Sequence, residues 1–421
     1  MKKLSFRLLC LCLVLMQCFC LFACSEQPAD PTTLGTTGTT EATTEATTVA
    51  TTEDTTPATT ESGEPNYSVL ESTDPIKNII LIIGDGMGLK HIEAGQLYDG
   101  KTYDFTSWPM VRINTAPLTY EGTISEDPTD SAASATAMAT GNLTVSNYVG
   151  MTPDGTTLQT IMDYASAMGK ATGVVTTDQL FGATPCGFSA HSRSRTNRAD
   201  LLESQLTSGV NLLCGDLHEA CTVLEPQIKE NGYKYCSSYA NLNSTFYGEK
   251  AYWQLPLAGA DPGISLADVS MDAMSYLDQD PDGFVLMIEQ GHIDKFSHNN
   301  EFEDTVKCVS YLNETVEAVM RWLGNRTDTA VLITADHETG SLQVSGEEGK
   351  YANTFDGPNG KISYEYRGSN HTSVNVALYV HGVTADFTKS DLYKKKALKN
   401  TGIYYLMEEI LNIGKEETAG E

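Results

Sequence analysis

The stretch NIILIIGDGMG, residues 78–88, is a continuous apolar run that closes on a glycine-rich turn. A run of this kind suits a strand buried on both faces rather than one lying on a half-wet sheet. The pattern returns in ATGVVTT (171–177), GFVLMIEQG (283–291), TAVLITADHE (329–338) and SVNVALYVHG (373–382). Helical periodicity fills the intervals. Between residues 302 and 323, Phe302, Val306, Val309, Leu312, Val316, Val319 and Leu323 recur at three- and four-residue steps. LQTIMDYASAMGK and ADLLESQLTSG are further amphipathic candidates. Strand–helix alternation predicts a three-layer α/β/α sandwich around a mostly parallel central sheet. A hydrophobic content of 40% is enough for its core.

Neither end of the chain reads as part of that fold. Residues 1–23 have a basic start (Lys2, Lys3, Arg7) and then an apolar run of signal-peptide length. They close on Leu21-Phe22-Ala23-Cys24, which resembles a bacterial lipobox and implies a lipid on Cys24. A plain secretory signal or an uncleaved anchor is the alternative, and either one takes the protein out of the cytoplasm. Residues 24–65 are rich in Thr, Glu, Pro and Gly, with little to bury, and read as a disordered tether. One folded domain is expected over 66–413, followed by a polar tail over 414–421. With 27 Lys+Arg against 55 Asp+Glu, the formal net charge of -28 repels a nucleic-acid backbone. A small phosphate ester is still admissible if cations reverse the sign locally. Beyond the export segment lie Cys186, Cys214, Cys221, Cys236 and Cys308, with no metal-type spacing; a disulfide among Cys214, Cys221 and Cys236 is left open.

The polar residues at the strand ends carry the chemistry. Asp85, Glu289, Asp336 and His337 all fall at or just past the C-terminal end of an expected strand, where open α/β sheets form their ligand crevice. Asp294, His298, His371, Ser131, Thr184 and Arg195 lie in adjoining segments. Mixed Asp/His sets suit zinc and all-oxygen sets suit magnesium. Each feature also has a plain structural reading. Asp85 could be a helix N-cap, and Asp294 with His298 a surface pair one helical turn apart. His371 could be a loop residue, and Arg195 one of several solvated arginines with Arg193 and Arg198. Four motifs would then have placed metal-type residues at one sheet edge by coincidence.

IILIIGDGMG, TDSAASATAMATG, ATPCGFSAHSRSR, IEQGHIDKFSH, TADHETG and SNHTS occur in that order. With these motifs the chain, over about residues 78–382, resembles the bacterial alkaline phosphatases. The resemblance implies a phosphomonoesterase with two zinc ions and one magnesium ion. Ser131 matches the nucleophile that becomes phosphorylated, activated by zinc rather than by a histidine base. Arg195 matches the residue that grips the phosphate, and Asp130 is placed to orient it. Asp294, His298 and His371 match one zinc site; Asp85, Asp336 and His337 match the other, with Asp85 bridging to magnesium. Thr184 and Glu289 match the remaining magnesium ligands, and Lys295 a lysine that reaches phosphate through water in part of the family. The chain departs from the pattern at Gly182, two residues before Thr184, where the family usually has Asp, His or Trp. Because groups behind the ligands tune a metal, that departure bears on magnesium affinity and rate. The short interval between His337 and His371 leaves little room for the large insertion of some relatives. A homodimer is left open. The rival readings are a phosphodiesterase or sulfatase-like enzyme with the same bimetal core, and a surface lipoprotein that retains the fold without catalysis.

Overall fold

The central sheet is built from the continuous apolar runs, and the computed structural model describes it within residues 75–244, 248–383 and 397–412. The expected signal, tether, Cys24 and polar tail lie outside the described residues. The first eight strands are β1 (Asn78–Gly84), β2 (Met110–Asn114), β3 (Ala171–Thr176), β4 (Leu212–Asp216), β5 (Tyr233–Cys236), β6 (Lys250–Leu255), β7 (Phe284–Gln290) and β8 (Thr329–Thr334). Five short strands follow: β9 (Glu338–Thr339), β10 (Leu342–Ser345), β11 (Asn353–Gly357), β12 (Gly360–Tyr366) and β13 (His371–Thr372). The last two are β14 (Val376–His381) and β15 (Ala397–Lys399). Ten of these form one sheet in the order β15-β2-β14-β8-β1-β7-β3-β4-β6-β5. Within it only β14 runs against its neighbours, antiparallel to both β8 and β2. The mostly parallel sheet expected from the sequence is therefore present. The expected strands at its centre, β1, β3, β7 and β8, are buried along their whole length.

Nine helices matter here: α1 (Leu89–Asp99), α2 (Ser131–Thr140), α3 (Ile161–Ala167), α4 (Ala183–Ser189), α5 (Arg198–Thr207), α6 (Leu266–Leu277), α7 (His292–His298), α8 (Phe302–Leu323) and α9 (Thr401–Asn412). One group, α1, α6, α7 and α8, packs together on one face of the sheet; α2, α3, α4, α5 and α9 cover the other. The apolar stripe of α8 is buried as its periodicity requires, from Phe302 through Leu323. Burying each such side chain contributes about 1.5–3 kcal/mol.

Helix α2 holds the small-residue run of TDSAASATAMATG, and all ten of its residues are buried. Its small side chains let α4 approach closely. A Cβ placed on Gly187 of α4 would lie 2.5 Å from the Ala135 Cβ. Asp130 caps the start of α2 through Oδ1, which accepts from the Ala133 N–H at 3.0 Å, and Gly141 in the left-handed conformation ends it.

The interval between His337 and His371 is short, as the sequence indicates, yet it holds a three-stranded antiparallel sheet ordered β10-β12-β11. Leu342, Val344 and Ile362 of this sheet form a small core with Ala94 of α1 and with Phe302 and Val306 of α8. The five cysteines among the described residues are free thiols, so the disulfide left open among Cys214, Cys221 and Cys236 does not form. Four are buried and Cys236 is half-buried. Among the described residues, no helix is long and apolar enough to cross a membrane.

Candidate active site

Strand direction gathers the polar residues at one sheet edge. Asp85 follows β1, Glu289 lies near the end of β7, and Asp336 and His337 follow β8. The reversed β14 starts at the edge where the parallel strands end, so β13, just before it, brings His371 there. β13 pairs with β9 so that His371 lies opposite Thr339 and Thr372 opposite Glu338. Asp85 does not cap α1, whose N-cap is Gly88. It sits in the turn before that helix, and Gly86 beside it has φ 71°. A Cβ on Gly86 would come within 2.9 Å of Asp294, so the turn admits only glycine.

Two imidazoles meet head to head. His298 Nε2 and His371 Nε2 are 3.1 Å apart. Each Nδ1 faces a backbone carbonyl, Ser369 O at 2.5 Å from His298 and Thr129 O at 2.8 Å from His371. These partners assign the proton to Nδ1 in both rings, leaving two lone pairs opposed. Asp294 completes the group, its oxygens 3.3 Å from His298 Nε2 and 3.5 Å from His371 Nε2. Opposed lone pairs beside a carboxylate repel one another unless a cation lies between them, and backbone carbonyls behind the rings are the usual support for metal-ligating histidines.

The second group surrounds His337, which is fully buried. Its Nε2 lies 3.2 Å from Asp336 Oδ2, 3.5 Å from Asp85 Oδ1 and 3.3 Å from Ser131 Oγ. Asp336 Oδ1 is held by the N–H groups of Gly86 and His337 at 3.0 and 2.9 Å. Its Oδ2 and Asp85 Oδ1 are buried without a hydrogen bond. Burial, followed by the charges of Asp336, Asp294 and Glu289, pushes Asp85 well above the usual carboxylate range. Burial opposes ionisation of Asp294 too, but the hydrogen bonds with His298 and His371 and the nearby His337 hold it well below that range. Four carboxylates so close together repel one another, and a divalent cation is one group that would offset that repulsion. Among the described residues, two triads have ligand atoms all within 4.8 Å of one another: Asp294 with His298 and His371, and Asp85 with Asp294 and His337. Asp294 thus borders both groups. The residues present fit two Asp/His metal sites.

Thr184 and Glu289 form the third cluster. The Thr184 hydroxyl is buried beside the Glu289 carboxylate and makes no well-formed hydrogen bond. Glu289 accepts from the Thr176 hydroxyl. Burial first, then the charge of Asp178, raises it to about 8.

Ser131 is the first residue of α2, 3% exposed, with its Oγ facing His337. A Ser–His–Asp relay is not built here, because His337 Nδ1 faces the Thr339 hydroxyl at 3.3 Å rather than a carboxylate. Arg195 Nη1 meets Asp130 Oδ2 at 3.0 Å, as expected of a residue that Asp130 orients. The other two arginines are engaged elsewhere: Arg193 donates to Asp154 O at 2.8 Å, and Arg198 lies over the Phe181 ring. Lys295 is drawn to Asp178, with Nζ 2.5 Å from Oδ1.

Sequence reasoning passed over Asp178 and Thr339. Asp178 lies two residues past β3, where the strand-end rule that found Asp85 and Asp336 would also have found it. Thr339 donates to Asp294 Oδ1 and faces His337 Nδ1, linking the two groups. A threonine next to an acidic strand end carries no sequence signal of its own.

The chain is similar to known proteins of one family. The alkaline phosphatase family model matches residues 76–221 and 223–401. Alkaline phosphatase 3 of Bacillus subtilis (strain 168) is 32% identical over 305 residues, which is 68% of this chain and 65% of that protein. The chain thus spans just under two thirds of that relative's length. Alkaline phosphatase of Escherichia coli (strain K12) is 28% identical over 393 residues, covering 74% of this chain and 82% of that protein. The alkaline phosphatase of the Antarctic bacterium TAB5 shares the fold with a TM-score of 0.70 at 22% identity, over 81% of this chain and 99% of that one. Two variants of the TAB5 enzyme carry magnesium in an M3 site.

Proposed function

The chain belongs to the alkaline phosphatase family, and on that basis we propose that it hydrolyses phosphate monoesters through a phosphoserine at Ser131. The observation that carries the reading is the pair of opposed imidazole lone pairs, 3.1 Å apart, beside Asp294. It supports a zinc ion held by Asp294, His298 and His371. The unpartnered oxygens of Asp85 and Asp336 next to His337 support a second. The buried Thr184 hydroxyl and Glu289, an all-oxygen pair, support magnesium. Bound there, the metals supply Lewis acidity and lower the pKa of hydroxyl groups beside them.

The chain's own residues do the rest. Ser131 is buried at the start of a helix, and its Oγ attacks phosphorus, forming the phosphoserine bond as the ester P–O bond breaks and the alcohol leaves. Water then cleaves the phosphoserine, releasing inorganic phosphate and restoring Ser131. The helix N-terminus and the Arg195 fork bind the non-bridging oxygens. Asp130 keeps that fork aimed by holding Nη1 through Oδ2. The basic start and apolar run of residues 1–23, closing on Cys24, support export and lipid anchoring on the outer face of the cell membrane.

Ser131→Ala tests the proposal directly. The zinc- and magnesium-loaded variant should form no phosphoenzyme and lose nearly all turnover of p-nitrophenyl phosphate. Chelation of the wild type should abolish turnover, and zinc should restore most of it. A phosphorylated Ser131→Ala protein, or full activity in chelator, would refute the mechanism. Preference for bis-p-nitrophenyl phosphate would replace it with the diesterase reading.

A further inference from the structure

We propose that Asp178 takes the place of the side chain missing at Gly182, holding Lys295 in position and presenting a carboxylate to the surroundings of the Thr184–Glu289 site. This rests on the phosphatase reading above.

The space for Asp178 is framed by two glycines. A Cβ on Gly182 would lie 3.2 Å from Asp178 Oδ2 and 2.9 Å from Gln179 O. The carboxylate of Asp178 therefore fills the volume that a side chain at 182 would enter. Gly182 has φ -60°, which any residue can adopt, but the Gln179 carbonyl at 2.9 Å leaves no room for a Cβ, so glycine is held there by space rather than by torsion. A Cβ on Gly291 would lie 3.1 Å from the Asp178 Cβ and 3.6 Å from the Glu289 carboxyl carbon. One point thus touches both acids, which places Asp178 beside Glu289.

Asp178 is also fixed. Its N–H donates to Thr176 Oγ1 at 2.9 Å, and the same hydroxyl donates to Glu289 Oε2. Its Oδ1 accepts from the Gln179 N–H at 2.6 Å, and its carbonyl from the Asp216 N–H at 2.8 Å. Onto this held oxygen comes Lys295, one residue after Asp294 on α7. Lysine ends in a flexible four-carbon stem, so an ammonium that must reach a phosphate needs an anchor. The pair is partly solvated, with side chains 45% and 23% exposed, and as an ion pair alone contributes little to stability. Its place beside Glu289, with Lys295 following Asp294 on α7, ties it to the site instead. Asp178 is a positioning residue: it acts through Lys295 and through the hydration of a cation at Thr184 and Glu289.

The test uses the full chain loaded with zinc. Magnesium affinity is read from the shift of the unfolding midpoint with magnesium chloride, and phosphate affinity from inhibition by inorganic phosphate. Asp178→Asn keeps the shape and removes the charge. It should weaken magnesium about 10–100-fold, the usual effect of losing a partner behind the ligands. It should weaken phosphate inhibition as much as Lys295→Met does, and the double variant should be no worse than either single one. Asp178→Glu should recover part of the magnesium affinity. Magnesium and phosphate affinities within twofold of wild type in Asp178→Asn would overturn the proposal, as would additive phosphate losses in the double variant. A lower midpoint without metal, with an unchanged magnesium shift, would leave Asp178 a structural role only and also overturn it. A wild type that turns over no monoester refutes the phosphatase reading separately, since the magnesium titration still judges Asp178.

Discussion

Asp130 does two jobs with two oxygens, and substitution can separate them. Oδ1 caps α2 through the Ala133 N–H at 3.0 Å, while Oδ2 accepts from Arg195 Nη1 at 3.0 Å and from the Asn147 N–H at 3.1 Å. Asparagine caps a helix about as well as aspartate, whereas alanine costs about 1 kcal/mol. Asp130→Asn should therefore keep the cap while its amide turns a donor towards Arg195 and Asn147. Loss of the Asn147 contact, which water can replace, costs about 0.5 kcal/mol in both variants. In urea titrations Asp130→Ala should then fall about 1.5 kcal/mol below wild type and Asp130→Asn about 0.5 kcal/mol. Phosphate binding should follow the opposite logic. A hydrogen bond to a charged group is worth about 1.5–3 kcal/mol. The Arg195 side chain is 32% exposed, so the lower half of that range applies. Both variants should bind inorganic phosphate about 10–50-fold more weakly, measured by inhibition of turnover. Equal destabilisation of the two would refute the capping role. Phosphate affinity within threefold of wild type in Asp130→Asn would refute the clamp.

Gly187→Ala sets helix propensity against space. Alanine favours a helix by up to about 1 kcal/mol over glycine, but the added carbon would lie 2.5 Å from the Ala135 Cβ. Overpacking of this kind costs about 1–3 kcal/mol, so urea denaturation should find the variant less stable; equal or greater stability would mean that α2 and α4 are not in tight contact. Burial, against an opposing contribution from Asp294, lowers His91 to about 4, and its ring accepts from the Gly88 N–H and faces Ser297. Its folded pKa lies below the ordinary 6.5, so the unfolded chain binds more protons between pH 4 and 6.5 and stability falls as pH drops through that window. The loss is about 3 kcal/mol. In metal-free protein the stability of wild type relative to His91→Gln should fall by that amount between pH 6.5 and 4; a difference that does not change with pH would refute the assignment. His292, also near 4, leaves a smaller slope behind. The raised His298 and His371 act above pH 6.5, whereas the raised Asp85 and Glu289 oppose the slope within the window, so the comparison with His91→Gln, and not the bare profile, reads His91.

Much of the centre of the fold can be read from the chain, because strands buried on both faces leave apolar runs that few other structures produce. β1, β3, β7, β8 and α8 follow directly from such patterns. Direction does not: the run that forms β14 resembles its parallel neighbours in composition, and its reversal is set by where the chain re-enters the sheet. The strands β4, β5 and β6 are short and interrupted by polar or aromatic residues, so periodicity offers little to detect. The site divides in the same way. Acids and histidines at strand ends stand out by type and place, whereas the pairing of Asp178 with Lys295, 117 residues away in the chain, exists only in the fold. The choice of Arg195 over Arg193 and Arg198 came from resemblance; the reason, its distance to Asp130, exists only in three dimensions.

The complete burial of α2 also limits how the chain can vary. Ten successive positions, each walled in and most holding side chains of three heavy atoms or fewer, leave almost no neutral changes. The rim behaves differently. β11 and the turn into β12 are largely exposed, so sequence there can drift with little loss of stability. Under random mutagenesis with selection for activity, accepted changes would collect on that rim, while α2 would return almost as it began.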